Sequence, residues 1–97
     1  PLVPVGPLPE GLEARDAGKV IRETTGQIMG LRNWYHYYAS LAYQLDGTTI
    51  PHDSPTMQIS TKREPYGVIA VIPAFNSPML LGSMGLAPAL AAGNTVV

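Results

Sequence analysis

GVIAVIPAFNSPMLLGSMGLAPALAAGNTVV, residues 67–97, reads as strand, turn, helix and strand in immediate succession. Gly67 to Ile72 is an unbroken apolar run rich in β-branched residues, so burial is expected on both faces, as in a parallel sheet between helix layers. Ser77 offers an N-cap oxygen and Pro78 stands at the first helical position, the strongest helix-start signal in the chain. The helix is expected over MLLGSMGLAPALAA, stopping near Gly93, with Pro88 removing one backbone hydrogen bond and providing a place for a kink. Asn94 to Val97 then opens a second buried strand. A β-turn-α-β unit of this kind almost always makes a right-handed crossover, so the fold class is α/β.

Within that unit Asn76 occupies the junction of strand and helix, where open α/β sheets place their ligands. Two readings of it follow from the residues alone. Its side-chain NH2 can donate a hydrogen bond to a developing oxyanion without bringing a charge into a dry cleft. Alternatively, it caps the helix or braces the turn, as asparagines before helices often do.

Upstream, Ile21, Thr24, Ile28, Leu31, Tyr35, Tyr38, Leu41 or Ala42, and Leu45 recur every three or four residues, the stripe of an amphipathic helix. Thr24 with Gln27 has the form of a capping box at its start, and Asp46-Gly47 ends it. The aromatic cluster WYHYYASLAY reads mainly as packing, with Tyr35 and Tyr38 on the buried stripe, rather than as a stacking platform. Before it, EGLEARDAGK is a short charged segment with Gly18 as a helix stop. After it, TTIP and MQISTKRE alternate polar and apolar residues around the turn-like HDSP, predicting a two-stranded ribbon with little core of its own. Residues 1–11 are proline-rich and read as an extended lead.

Charged residues make up 13% of the 97 residues, about half the usual share, so surfaces are expected to be covered by further chain or by a partner subunit. Six basic against seven acidic residues supply no basic stripe for nucleic acid. The absence of cysteine excludes a disulfide framework, a thiolate metal site and a cysteine nucleophile within these residues, and fits a reducing, cytoplasmic setting. His36 and His52 lack partners at metal-ligand spacing, so no metal is expected. No apolar run is long enough to span a membrane, and PLVPVGPLPE has no signal-peptide pattern. Pro1 and Val97 read as cut ends of a longer polypeptide.

Arg63, Pro65, Gly67, Val68, Asn76, Pro78 and Ala87 to Val97 follow, in order and without gaps, the pattern R-x-P-x-G-V, apolar strand, P-W-N-x-P, A-P-A-L-A-A-G-N-x-V. This resembles the N-terminal cofactor-domain segment of the NAD(P)-dependent aldehyde dehydrogenases. LEARDAGKVIRET and WYHYYA resemble further segments of the family, so the likeness covers about residues 12–97. The resemblance implies part of a Rossmann-like parallel sheet with flanking helices, plus a β-ribbon from the oligomerisation region over about residues 47–66, through which a homo-oligomer would form.

By position, Asn76 matches the family's oxyanion-hole asparagine, which polarises the aldehyde while a cysteine thiolate attacks. Ile72, Pro73, Ala74 and Phe75, with Asn76, match the turn against the nicotinamide of NAD or NADP. Phe75 replaces the usual tryptophan, and Ala74 stands where the family normally has proline. The implied reaction oxidises a small-molecule aldehyde to an acid through a thiohemiacetal, hydride transfer and thioester hydrolysis. The nucleophile and the general base match nothing in these residues, so the segment alone is expected to be inactive. The alternative is a non-catalytic interaction module that pairs with full-length subunits.

Overall fold

The computed structural model describes residues 9–97. Its elements are α1 (Pro9–Ala17), α2 (Ile21–Leu41), a 3-10 turn (Ala42–Gln44), β1 (Thr49–Ile50), β2 (Ile59–Ser60), β3 (Val68–Ile69), α3 (Pro78–Ala91) and β4 (Thr95–Val96).

Of the extended lead expected over 1–11, residues 1–8 lie outside the described residues and 9–11 form the first turn of α1. Proline suits that position because its missing N–H would have no intrahelical acceptor. Gly18 stops the helix as expected: its φ of 66° lies in the left-handed region, and the Lys19 N–H returns to the Ala14 carbonyl at 3.1 Å.

Helix α2 starts before the expected point. Val20 is its extended N-cap, and the capping box expected at Thr24 and Gln27 does not form. Thr24 is fully buried inside the helix, and its hydroxyl donates to the Ile21 carbonyl at 3.0 Å. A threonine that satisfies its hydroxyl on the preceding turn has no need of a cap position. The expected stripe holds in its middle, where Thr24 and Leu31 are buried and Ile28 and Tyr38 half-buried. Tyr35, expected on the buried stripe, is instead exposed, and Trp34 takes the half-buried place.

The α2–α3 seam is where the core sits: Leu31 and Ala87 are its buried apolar residues. Ser83 of α3 meets both aromatics. The Trp34 indole N–H donates to the Ser83 carbonyl at 3.2 Å, and the Tyr35 hydroxyl donates to Ser83 Oγ at 3.1 Å. Trp34 packs edge-on to Tyr38 with ring centroids 4.9 Å apart. These polar tips explain why Tyr35 stays at the rim: its ring is exposed so that its hydroxyl can reach a partner.

β1 and β2 pair antiparallel, Thr49 with Ser60 and Ile50 with Ile59. The pairing continues as the Thr61 N–H donates to the Thr48 carbonyl at 2.8 Å. β3 and β4 pair parallel, Val68 with Thr95 and Ile69 with Val96, with α3 as the intervening helix. Their ladder reaches Val71, whose N–H donates to the Val97 carbonyl at 2.8 Å. The burial expected on both faces of this strand is not observed, since Val68 is 66% exposed. Helix α3 approaches one face, where Gly85 meets Val71, while α1 and α2 pack on each other and α2 on α3 rather than on the strands. No helix among the described residues is long and apolar enough to cross a membrane.

α3 begins and ends as its sequence predicts. Pro78 is the first helical residue, and the helix continues through Pro88 to Ala91. Gly93, with φ 83°, sends its N–H to the Leu90 carbonyl at 2.9 Å, and the Asn94 N–H reaches the Ala89 carbonyl at 3.0 Å. This double reversal is the hydrogen-bond pattern of a Schellman stop, which needs a residue tolerant of positive φ.

Candidate functional site

The polypeptide leaving the carboxyl end of β3 turns at residues 73–77 and enters α3. Ile72 and Phe75 are 92% and 88% exposed, so the turn presents an apolar surface. Pro73 leans on α3 beside Gly82, where an added Cβ would stand 3.9 Å from the proline ring. Asn76 is exposed and its amide forms no hydrogen bond with any described residue.

Capping of α3 is carried out by other residues. Ser77 is the N-cap by position, and its carbonyl accepts the Leu81 N–H at 2.9 Å. Its hydroxyl, expected to cap the helix, does not do so: Ser77 Oγ instead accepts a hydrogen bond from Lys19 Nζ at 2.7 Å. The Met79 N–H, which a serine cap would have satisfied, donates to Glu13 Oε2 at 3.2 Å. A carboxylate at this end of a helix also complements the helix dipole.

Lys19 is the hub of this cluster. Besides Ser77, its ammonium donates to Gln27 Oε1 at 2.6 Å and lies 3.5 Å from Glu23 Oε1 and 3.9 Å from Glu13 Oε1. The Lys19 and Glu13 side chains are only 13% and 1% exposed. Sequence reasoning missed both residues. They belong to the charged LEARDAGK segment, and no local spacing rule reaches from there to Ser77.

The electrostatics restrict what the turn can bind. Glu13 already fills the anion position at the start of α3, so a pyrophosphate there would meet a carboxylate. What remains at residues 72–76 is apolar surface and one neutral amide. That set fits a flat ring laid against the apolar wall and a hydrogen-bond acceptor such as a carbonyl oxygen at the amide. His36 and His52 are exposed, and His52 Nδ1 accepts the Ser54 N–H at 3.0 Å. Among the described residues no group of three or more His, Cys, Asp or Glu is placed to hold a metal ion.

Residues 10–97 match the model of the aldehyde dehydrogenase family. This chain belongs to the aldehyde dehydrogenase family. It is 50% identical over 86 residues to the (Z)-2-((N-methylformamido)methylene)-5-hydroxybutyrolactone dehydrogenase of Acinetobacter baylyi, covering 89% of the chain and 18% of that relative. It is 38% identical over 82 residues to the 2,5-dioxopentanoate dehydrogenase of Saccharolobus solfataricus, covering 84% of the chain and 17% of the relative. Among solved structures, betaine aldehyde dehydrogenase from Staphylococcus aureus, a double mutant in complex with NAD+, superposes with a TM-score of 0.82 at 33% identity. That match covers 90% of this chain and 17% of the other. A 3,6-anhydro-L-galactose dehydrogenase in complex with NAP gives 0.83 at 30% identity, covering 90% and 18%. The aldehyde dehydrogenase segment thus spans less than a fifth of the curated relatives it matches.

Proposed function

We propose that this chain is part of an oxidoreductase that oxidises a small-molecule aldehyde to a carboxylic acid with NAD or NADP, and that Asn76 is its oxyanion donor. The observation that supports this reading is the exposed amide of Asn76, without a hydrogen bond to any described residue, between the carboxyl end of β3 and the start of α3. An aldehyde oxygen gains negative charge as a thiolate attacks its carbonyl carbon. An N–H aimed at that oxygen stabilises the charge where it develops, and a neutral amide does so without a competing counter-ion.

Cysteine is absent from the 97 residues, so the thiolate comes from elsewhere in the polypeptide. When bound, NAD(P)+ supplies the hydride acceptor. Ile72, Pro73, Ala74 and Phe75 would hold its nicotinamide by offering an apolar wall that excludes water, with the Asn76 amide at the end of that wall. Residues 47–66, exposed on nearly every side chain, would join subunits of a homo-oligomer.

Substitution of Asn76 tests the reading in a full-length aldehyde dehydrogenase carrying this segment. Asn76→Ala should lower kcat by about 100- to 1,000-fold, the usual effect of deleting one oxyanion donor, with cofactor Kd nearly unchanged. An unaltered kcat would overturn the assignment and leave Asn76 a turn residue.

A further inference from the structure

We infer that Lys19 and Glu13 are positioning residues for Asn76, holding the 73–77 turn in place from α1 and the α1–α2 connection; this rests on the proposed role of Asn76. The Asn76 side chain forms no hydrogen bond with any described residue, yet its neighbour Ser77 is buried. Lys19 Nζ holds Ser77 Oγ at 2.7 Å, and Glu13 Oε2 holds the Met79 N–H at 3.2 Å. The two anchors lie one and three residues beyond Asn76. They take over both functions that would otherwise draw on the turn: Glu13 caps α3, and Lys19 occupies the Ser77 hydroxyl.

Glu13 Oε1 is buried and forms no hydrogen bond with any described residue, with the Lys19 ammonium 3.9 Å away. Lys19 is in turn directed by Gln27 and Glu23 from the first turns of α2. Burying a carboxylate and an ammonium side by side carries a desolvation cost that their attraction need not exceed, so the pair is weak evidence for a role in stability alone. Its geometric product is a fixed Ser77, and hence a fixed Asn76 backbone with an unengaged amide. Oxyanion donors act through preorganisation, and misplacing a catalytic group by about 1 Å can lower a rate by about 100-fold.

The test uses the full-length enzyme and a double-mutant cycle. Lys19→Met should lower kcat by about 10- to 100-fold with cofactor Kd within about twofold of the parent, and Lys19→Arg should recover part of the loss. In the Asn76→Ala background Lys19→Met should have almost no further effect on kcat, because the donor it positions is gone. A purely structural Lys19 would lower activity by the same factor in both backgrounds, and that result would overturn the inference. Should Lys19→Met fail to fold, Ser77→Ala removes the same link while leaving the Lys19, Glu23 and Gln27 contacts, and the same comparison applies. If Asn76→Ala alone leaves kcat intact, the oxyanion reading has failed. If Asn76→Ala is impaired and the second substitution is additive, only the positioning inference has failed.

Discussion

The side chain of Asn94 accepts a hydrogen bond from the backbone N–H of Gly67 at 3.0 Å, joining the end of α3 to the first residue of the β3 ladder. The same amide donates through Nδ2 to the Ala89 carbonyl at 3.1 Å. Asn94 is buried, and both halves of its amide are satisfied by backbone groups. One side chain thereby ties the end of α3 to the start of β3.

Asn94→Ala should therefore loosen the β3–β4 pair. It deprives the Gly67 N–H of its acceptor, at a cost of about 0.5–1.5 kcal/mol. Hydrogen exchange across residues 67–71 of the full-length protein should accelerate correspondingly, while the 9–17 helix keeps its protection.

Gly85 is a second point of close approach. A Cβ there would stand 3.0 Å from Val71 Cγ1 and 3.2 Å from its Cγ2. Gly85→Val should force the strand and helix apart and destabilise the unit by about 1–3 kcal/mol, despite removing a helix glycine. The companion change Val71→Ala makes room, so the double variant should recover part of the loss in a thermal or denaturant midpoint.

Gly47 lies against the ribbon's other strand, where a Cβ would overlap the Thr61 carbonyl oxygen. Backbone cannot swing aside as a flexible side chain can. Gly47→Ala should break the pairing around Thr48 and Thr61, and sedimentation should show weakened subunit association if residues 47–66 join subunits. Undisturbed assembly would place the subunit contact elsewhere.

The isolated 97-residue chain should show no aldehyde-dependent formation of NADH or NADPH, because it contains no cysteine. Measurable turnover by the purified chain, followed by cofactor absorbance, would refute both that expectation and the thiolate chemistry behind it.

Much of the β-turn-α-β unit was legible because its signals are local. Pro78 at the start of α3 and Gly93 after its end each act within one turn of chain. Thr24 shows the opposite case. Its spacing from Gln27 matches a capping box, but burial and its bond to Ile21 place it inside α2. Trp34, rather than Tyr35, takes the half-buried place, and both rings are oriented by Ser83 of α3, which accepts the indole N–H on its carbonyl and the tyrosine hydroxyl on its Oγ. That partner is distant in sequence.

The residue order by itself determined the succession of strand, turn, helix and strand over 67–97, the position of Asn76 at the junction, and the stops at Gly18 and Gly93. These follow from backbone conformational preferences and hydrophobic period, which depend on near neighbours. Only the tertiary structure decided that Glu13 caps α3, that Lys19 holds Ser77, and that Asn94 ties α3 to β3. Those contacts join polar groups 66, 58 and 27 residues apart, and they form where packing buries Glu13, Ser77 and Asn94 and leaves these distant groups as their partners.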